Sequence, residues 1–171
     1  MGGGQSSEGT AEEKYPQQPG SKTTPLMAAI AVNDIDSVKY FLERGDSVTP
    51  KDDFGRTALH YVAEFTNNAL LFSLIVNAPR GIARLNAPDN DGKTPLITAA
   101  YNGHYNVLYQ LLSYDKINVK ATDYWGRSAL VAAQNNKNWE CEAWLSIHMG
   151  IKQPYRRGAG RNYPKIKGVD Y

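Results

Sequence analysis

The chain has 171 residues, 42% of them hydrophobic, and a formal net charge of +2. That length suits one domain with a real core, and so small a charge argues against a nucleic-acid binder. One cysteine, Cys141, rules out an internal disulfide and points to a reducing compartment, while no run of about 18 apolar residues and no signal-peptide core is present, so an intracellular setting is expected.

In chain order, Met1-Gly2-Gly3-Gly4-Gln5-Ser6 fits the M-G-x-x-x-[ST] pattern for N-myristoylation, with Gly2 as the acyl acceptor. Residues 1–21 are rich in Gly, Ser, Gln, Glu and Pro, with too little apolar surface to offset the entropy of ordering, so a flexible lead is expected. A single myristoyl chain binds bilayers only marginally, and a stable anchor needs a second signal. No cysteine lies nearby for palmitoylation, and Glu8, Glu12 and Glu13 make the lead acidic.

Residues 22–150 are built from four segments in the same phase. They start at Thr24-Pro25-Leu26, Thr57-Ala58-Leu59, Thr94-Pro95-Leu96 and Ser128-Ala129-Leu130, which lie 33, 37 and 34 residues apart. Thr24, Thr57, Thr94 and Ser128 suit the N-cap of a helix, and Pro25 and Pro95 then fall where a missing N–H costs nothing. Upstream, Asp52, Asp89 and Asp123 each stand three residues before a glycine, which predicts a turn. Small residues (Ala28-Ala29, Ala63, Ala99-Ala100, Ala132-Ala133) let first helices approach closely. Breaks at Asn33-Asp34, Asn67-Asn68, Asn102-Gly103 and Lys137-Asn138 then introduce a second helix. In that helix Tyr105, Leu108, Leu111 and Leu112 follow helical spacing as core residues, and Trp139 and Trp144 are expected to pack the end of the core. A period of this size predicts an all-α solenoid of about four stacked helix–turn–helix units with projecting hairpin turns.

At these residues the chain resembles the ankyrin-repeat family, whose pattern is D-x-x-G-x-T-P-L-H followed by A-A-x-x-G-H. The nearest matches run from Asp52 to His60, from Asp89 to Leu96 and from Ala99 to His104. The histidine of the first motif is Met27, Ile97 and Val131 in the other units, the first unit lacks the Asp–Gly turn, and the second carries an insertion around residues 77–81. The resemblance implies a protein partner bound on the concave side, by hairpin tips and inner faces of first helices. Carried over position by position, the candidates are Phe54, Arg56, Phe65, Asp91, Lys93, Tyr101, Tyr124, Trp125 and Arg127. Phe54, Tyr124 and Trp125 are large for turn positions, and aromatics and Arg dominate binding hot spots; the alternative is that each folds back onto its own hairpin. The resemblance also makes His60 and His104 helix-turn hydrogen-bonding residues.

Residues 151–171 set Lys152, Arg156, Arg157, Arg161, Lys165 and Lys167 against one acid, Asp170, with tyrosines interleaved. They read as a solvated extended tail, an arm docking on a partner, or a basic patch facing anionic lipid. Catalytic and metal-binding constellations are absent: three dispersed histidines and one cysteine give no ligand spacing, and no phosphate loop, H-E-x-x-H or G-x-S-x-G occurs. No cofactor, metal or small-molecule substrate is expected, and neither is enzymatic activity. The expected function is a protein–protein interaction module, a lipid-anchored peripheral adaptor on the cytoplasmic face of a membrane, an organellar one included. The alternative is a structural accessory subunit of a larger membrane-associated or organellar assembly, its tails ordered by neighbouring subunits.

Overall fold

The computed structural model describes residues 9–18 and 20–151. Among them the chain forms nine α-helices and no strand: α1 (Ala11–Lys14), α2 (Pro25–Ala31), α3 (Ile35–Glu43), α4 (Ala58–Phe65), α5 (Ala69–Asn77), α6 (Pro95–Asn102), α7 (Tyr105–Leu112), α8 (Ala129–Asn135) and α9 (Trp139–His148). The last eight pair into four antiparallel helix–turn–helix units. First helices stack as α2, α4, α6 and α8, and second helices as α3, α5, α7 and α9.

The units form where local chemistry directs. The hydroxyls of Thr24, Thr94 and Ser128 accept from the backbone N–H three residues on, and Pro25 and Pro95 open their helices. At Thr57 the hydroxyl and N–H both reach His60 Nδ1, at 3.0 and 3.1 Å. Second helices start at Asp34, Asn68, His104 and Asn138. Between stacked first helices lie Ala29, Ala63, Ala99, Ala100 and Ala133, none with measurable exposure; their small side chains bring the backbones together, while Leu26, Leu59 and Leu96 fill the space toward the second helices.

Each hairpin joins the next. Asn90 N–H donates to Phe54 C=O at 2.9 Å, and Tyr124 N–H donates to Asp91 C=O at 3.0 Å. These approaches need glycine: Gly55 and Gly92 have φ of +76° and +80°, and a Cβ there would come within 2.8 Å of Asn90 N and 2.7 Å of the Tyr124 ring. Polar groups, His60 buried and His104 and Asn138 half-buried, also cross between units. His60 Nε2 donates to Lys93 C=O at 3.0 Å, His104 Nδ1 to Ala63 C=O at 3.0 Å, and Asn138 Nδ2 to Tyr101 C=O at 2.7 Å. The insertion after α5 is taken up by a short 3-10 turn, Ile82–Arg84, with Leu85 returning to the core.

Two expectations change, and a third holds in part. Within the lead expected to be flexible, residues 11–14 form α1, held by a capping box between Thr10 and Glu13 and by the Tyr15 ring set edge-on against Phe41 at 6.5 Å. Tyr105 is 40% exposed, unlike Leu108, Leu111 and Leu112. It opens α7, where the chain has only just left the turn, and the core face begins at Val107. Trp139 and Trp144 are both half-buried; Trp144 packs on the core edge with the Tyr109 ring 4.5 Å away.

Candidate functional site

The three Asp–Gly hairpins are built alike and then diverge. In each, one carboxylate oxygen of the leading aspartate accepts two backbone N–H groups, at 2.8–3.0 Å: those of Phe54 and Arg56 for Asp52, of Asp91 and Lys93 for Asp89, of Trp125 and Arg127 for Asp123. Arg56 Nε and Arg127 Nε then close onto the second oxygens of Asp52 and Asp123, at 2.8 and 2.7 Å. Burial pushes both aspartates up, but the backbone N–H and guanidinium partners outweigh it and hold them below the usual carboxylate range. Lys93, in the equivalent place, instead pairs with Asp91 at 2.8 Å, and that hydrogen bond raises its pKa.

The candidate partner residues fall into two groups. Phe54, Arg56, Asp91, Lys93 and Tyr101 line one cleft of about 210 Å³ between the second and third units, together with Glu64, Asp89, Asn90, Thr98 and Asn102. Tyr124, Trp125 and Arg127 belong to the next hairpin, bound to the cleft wall through Lys93, whose ammonium lies 5.9 Å from the Trp125 ring centroid. Phe65 stands apart at the end of α4, its ring 5.5 Å from Tyr61. Exposure is high for the aromatics: Phe54 67%, Tyr124 76%, Trp125 63%, Tyr101 46%, Phe65 45%.

Folding back occurs in part. Arg56 covers one face of Phe54 at 5.0 Å, and Arg127 one face of Trp125 at 4.9 Å, yet most of each ring still meets solvent. Arg56 itself is committed: besides Asp52 it donates to Glu64 at 2.8 Å and to the Tyr61 hydroxyl at 3.1 Å. Its charge is balanced within the protein, so its part in the face is to hold Phe54 and Glu64 in place.

Sequence reading passed over Asp89, taken as a turn former, and Thr98, which carries no local signal. Thr98 lines the cleft, and its buried hydroxyl has no hydrogen-bond partner among the described residues. Gly2, Lys152, Arg156, Arg157, Arg161, Lys165 and Lys167 lie outside the described residues. Among the described residues, no helix is long and apolar enough to cross a membrane, and no cluster of three His, Cys, Asp or Glu could hold a metal. Cys141 is buried, and burial pushes its thiol up to about 12.

A family model of ankyrin repeats matches the chain in three copies, over residues 10–77, 26–123 and 63–154. The chain belongs to the ankyrin-repeat family. It is similar to an ankyrin repeat protein of Rickettsia bellii, 36% identical over 110 residues, covering 64% of this chain and 59% of that protein. It is also similar to the B-cell lymphoma 3 protein homolog of Mus musculus, 28% identical over 131 residues, or 74% of this chain and 28% of that protein. Rabankyrin-5 of Homo sapiens is 28% identical over 147 residues, covering 80% of this chain and 12% of its own length. The chain thus spans about three fifths of the first relative and less than a third of the other two. As an ankyrin-repeat protein it is a protein–protein interaction module, in which the hairpin row and the first helices offer one continuous surface.

Proposed function

We propose that this ankyrin stack is a peripheral membrane adaptor that binds one protein partner on its hairpin row and is held at the bilayer by a myristoyl group on Gly2. The observation that carries the binding half is the set of exposed aromatics, Phe54, Tyr124 and Trp125 on hairpins joined to one another and Tyr101 on the adjoining α6. Rigid aromatic anchors amid polar groups are the make-up of a binding hot spot. The membrane half rests on the motif at Gly2, with Lys152, Arg156, Arg157, Arg161, Lys165 and Lys167 as the second contact, each adding at most ~1 kcal/mol near an anionic surface.

Affinity capture of partners by the full chain, identified by mass spectrometry, tests the first half. Phe54→Ala or Trp125→Ala should weaken capture by ~2 kcal/mol, roughly 30-fold, with little change in Tm. Unchanged capture by both would remove the hairpin row as the binding face. Intact mass after co-expression with an N-myristoyltransferase, then flotation with anionic liposomes, tests the second; an unmodified Gly2 ends the lipid claim. Flotation that survives Lys165→Glu with Lys167→Glu would assign the second anchor to the partner.

A second reading, a structural subunit of a larger assembly, is favoured by a separate observation. Tyr40, Tyr105 and Tyr109 on the second helices are each 40–50% exposed, so large side chains face outward on more than one side of the stack. An adaptor purified alone leaves its tails mobile by NMR, whereas a subunit orders them against its neighbours in the assembly.

A further inference from the structure

We propose that the cleft between the second and third units is a receptor for one arginine side chain of the bound partner. The inference rests on the hairpin row being the partner's site and names the chemistry read there.

The hairpins themselves supply the argument. Asp52 and Asp123 each have a built-in guanidinium on their second carboxylate oxygen, but Asp89 does not. Where the other hairpins carry Arg, the third carries Lys93, which turns to Asp91. Lys51, the next cation along, donates to Pro88 C=O at 2.7 Å. The second oxygen of Asp89 therefore takes no hydrogen bond from the described residues, while the first holds the hairpin in shape. Thr98 lines the same cleft, and its hydroxyl is a second unanswered group. Thr98 is 6% exposed, and its oxygen has neither donor nor acceptor within reach among the described residues. Buried polar atoms without a partner are rare in native proteins, and one on a side chain that lines a cleft is a candidate partner for a ligand atom.

Charge and shape select the occupant. Glu64, Asp89 and Asp91 face Arg56 and Lys93 across the cleft, and both bases are already tied to carboxylates, so the lining carries a net negative charge. Tyr101, with no cation against its ring among the described residues, offers a π face at the wall. About 210 Å³ holds a single long side chain and no folded element. A guanidinium presents several N–H groups in one plane and can serve a carboxylate and a hydroxyl at once while lying on an aromatic face; an ammonium is a point charge and meets these demands less well.

The test uses the isotope-labelled full chain and three blocked tripeptides, Ala-Arg-Ala, Ala-Lys-Ala and Ala-citrulline-Ala, followed by amide NMR shifts. The arginine peptide should shift Asp89, Asp91 and Tyr101, with lysine weaker and neutral citrulline at least ~10-fold weaker. Asp89→Asn keeps an oxygen for the two backbone N–H groups and removes the charge, so it should retain the fold and lose ~10-fold or more in affinity. Thr98→Val, which leaves the hairpin untouched, should weaken binding several-fold and serves if Asp89→Asn does not fold. Equal binding of citrulline, shifts confined to other units, or unchanged affinity in the variants would overturn the receptor. A partner lost by Trp125→Ala yet fully captured by Asp89→Asn would also overturn it, while leaving the hairpin row standing as the binding face.

Discussion

The joint between the second and third units and the outer face of the first unit meet one need, covering an apolar surface, by different means. At the joint the cover is another copy of the same unit, fastened by a buried imidazole and by main-chain bonds: His60 to Lys93 C=O, Asn90 to Phe54 C=O. At the outer face, among the described residues, the cover is α1 in place of a further unit. There Asp34 caps α3 through Ser37 and also accepts from the Tyr15 hydroxyl at 3.1 Å and from Lys14 at 3.2 Å, while Glu12 pairs with Arg44. The backbone N–H of Ser37, foremost, holds Asp34 down at about 2, with the Ser37 hydroxyl, Lys14 and Tyr15 adding to it against a smaller effect of burial. The joint is buried and repeated; the end is shallow, polar and unique. In a solenoid, any face of a unit not covered by a neighbouring repeat needs another cover.

If the joint bears the stability, Leu96→Ala should cost about 2–5 kcal/mol, read by urea unfolding, since Leu96 is 1% exposed between units. A loss under 1 kcal/mol would place the cooperative core elsewhere. The outer cap should matter less: Tyr15→Ala removes a half-buried ring from Phe41 and should cost about 1–2 kcal/mol. Hydrogen exchange should then speed up in α3 before α6, and uniform acceleration would erase the distinction between the two regions.

Acid separates them further. Burial keeps His60 neutral in the folded chain, with its pKa below the ordinary 6.5. The unfolded chain therefore binds a proton first as pH falls below about 6.5, and stability declines by at most ~1.4 kcal/mol per pH unit from there downward. His60→Asn should flatten that slope; a slope that persists belongs to another group. The contribution of Asp34 is complete above 3.8 and is lost as pH falls toward about 2, so acid should loosen the joint first and the cap later. The smallest effect is expected on the hairpin surface, where Trp125→Ala should change stability by about 0.5 kcal/mol or less. A larger loss would return that ring to the fold.

The contrast also explains what could be read from the sequence. Thr24, Thr94, Ser128, Pro25, Pro95 and the Asp–Gly turns act within four residues of themselves and recur in phase, so helices, turns and stacking were legible. α1 left only one local trace, Thr10 with Glu13 at capping-box spacing, and its partners, Asp34 and Phe41, are remote and unrepeated. In the cleft, the exchange of Arg for Lys93 is visible in the sequence. That the ammonium turns toward Asp91, and that the Thr98 hydroxyl faces nothing, follows only from how two units meet.

The bonds from Phe54 to Asn90 and from Asp91 to Tyr124 have a mechanical consequence. Each is a stiff tie near the tip of a lever whose fulcrum is the alanine-rich contact between first helices, the first reinforced by Asn90 Nδ2 donating to Asp53 C=O, so the row behaves as hinges coupled in series. Opening one angle by a small amount strains its tie before the helices separate. A rigid ligand spanning three tips would thus sense the curvature of the whole stack, and a curvature mismatch would be resisted elastically along it.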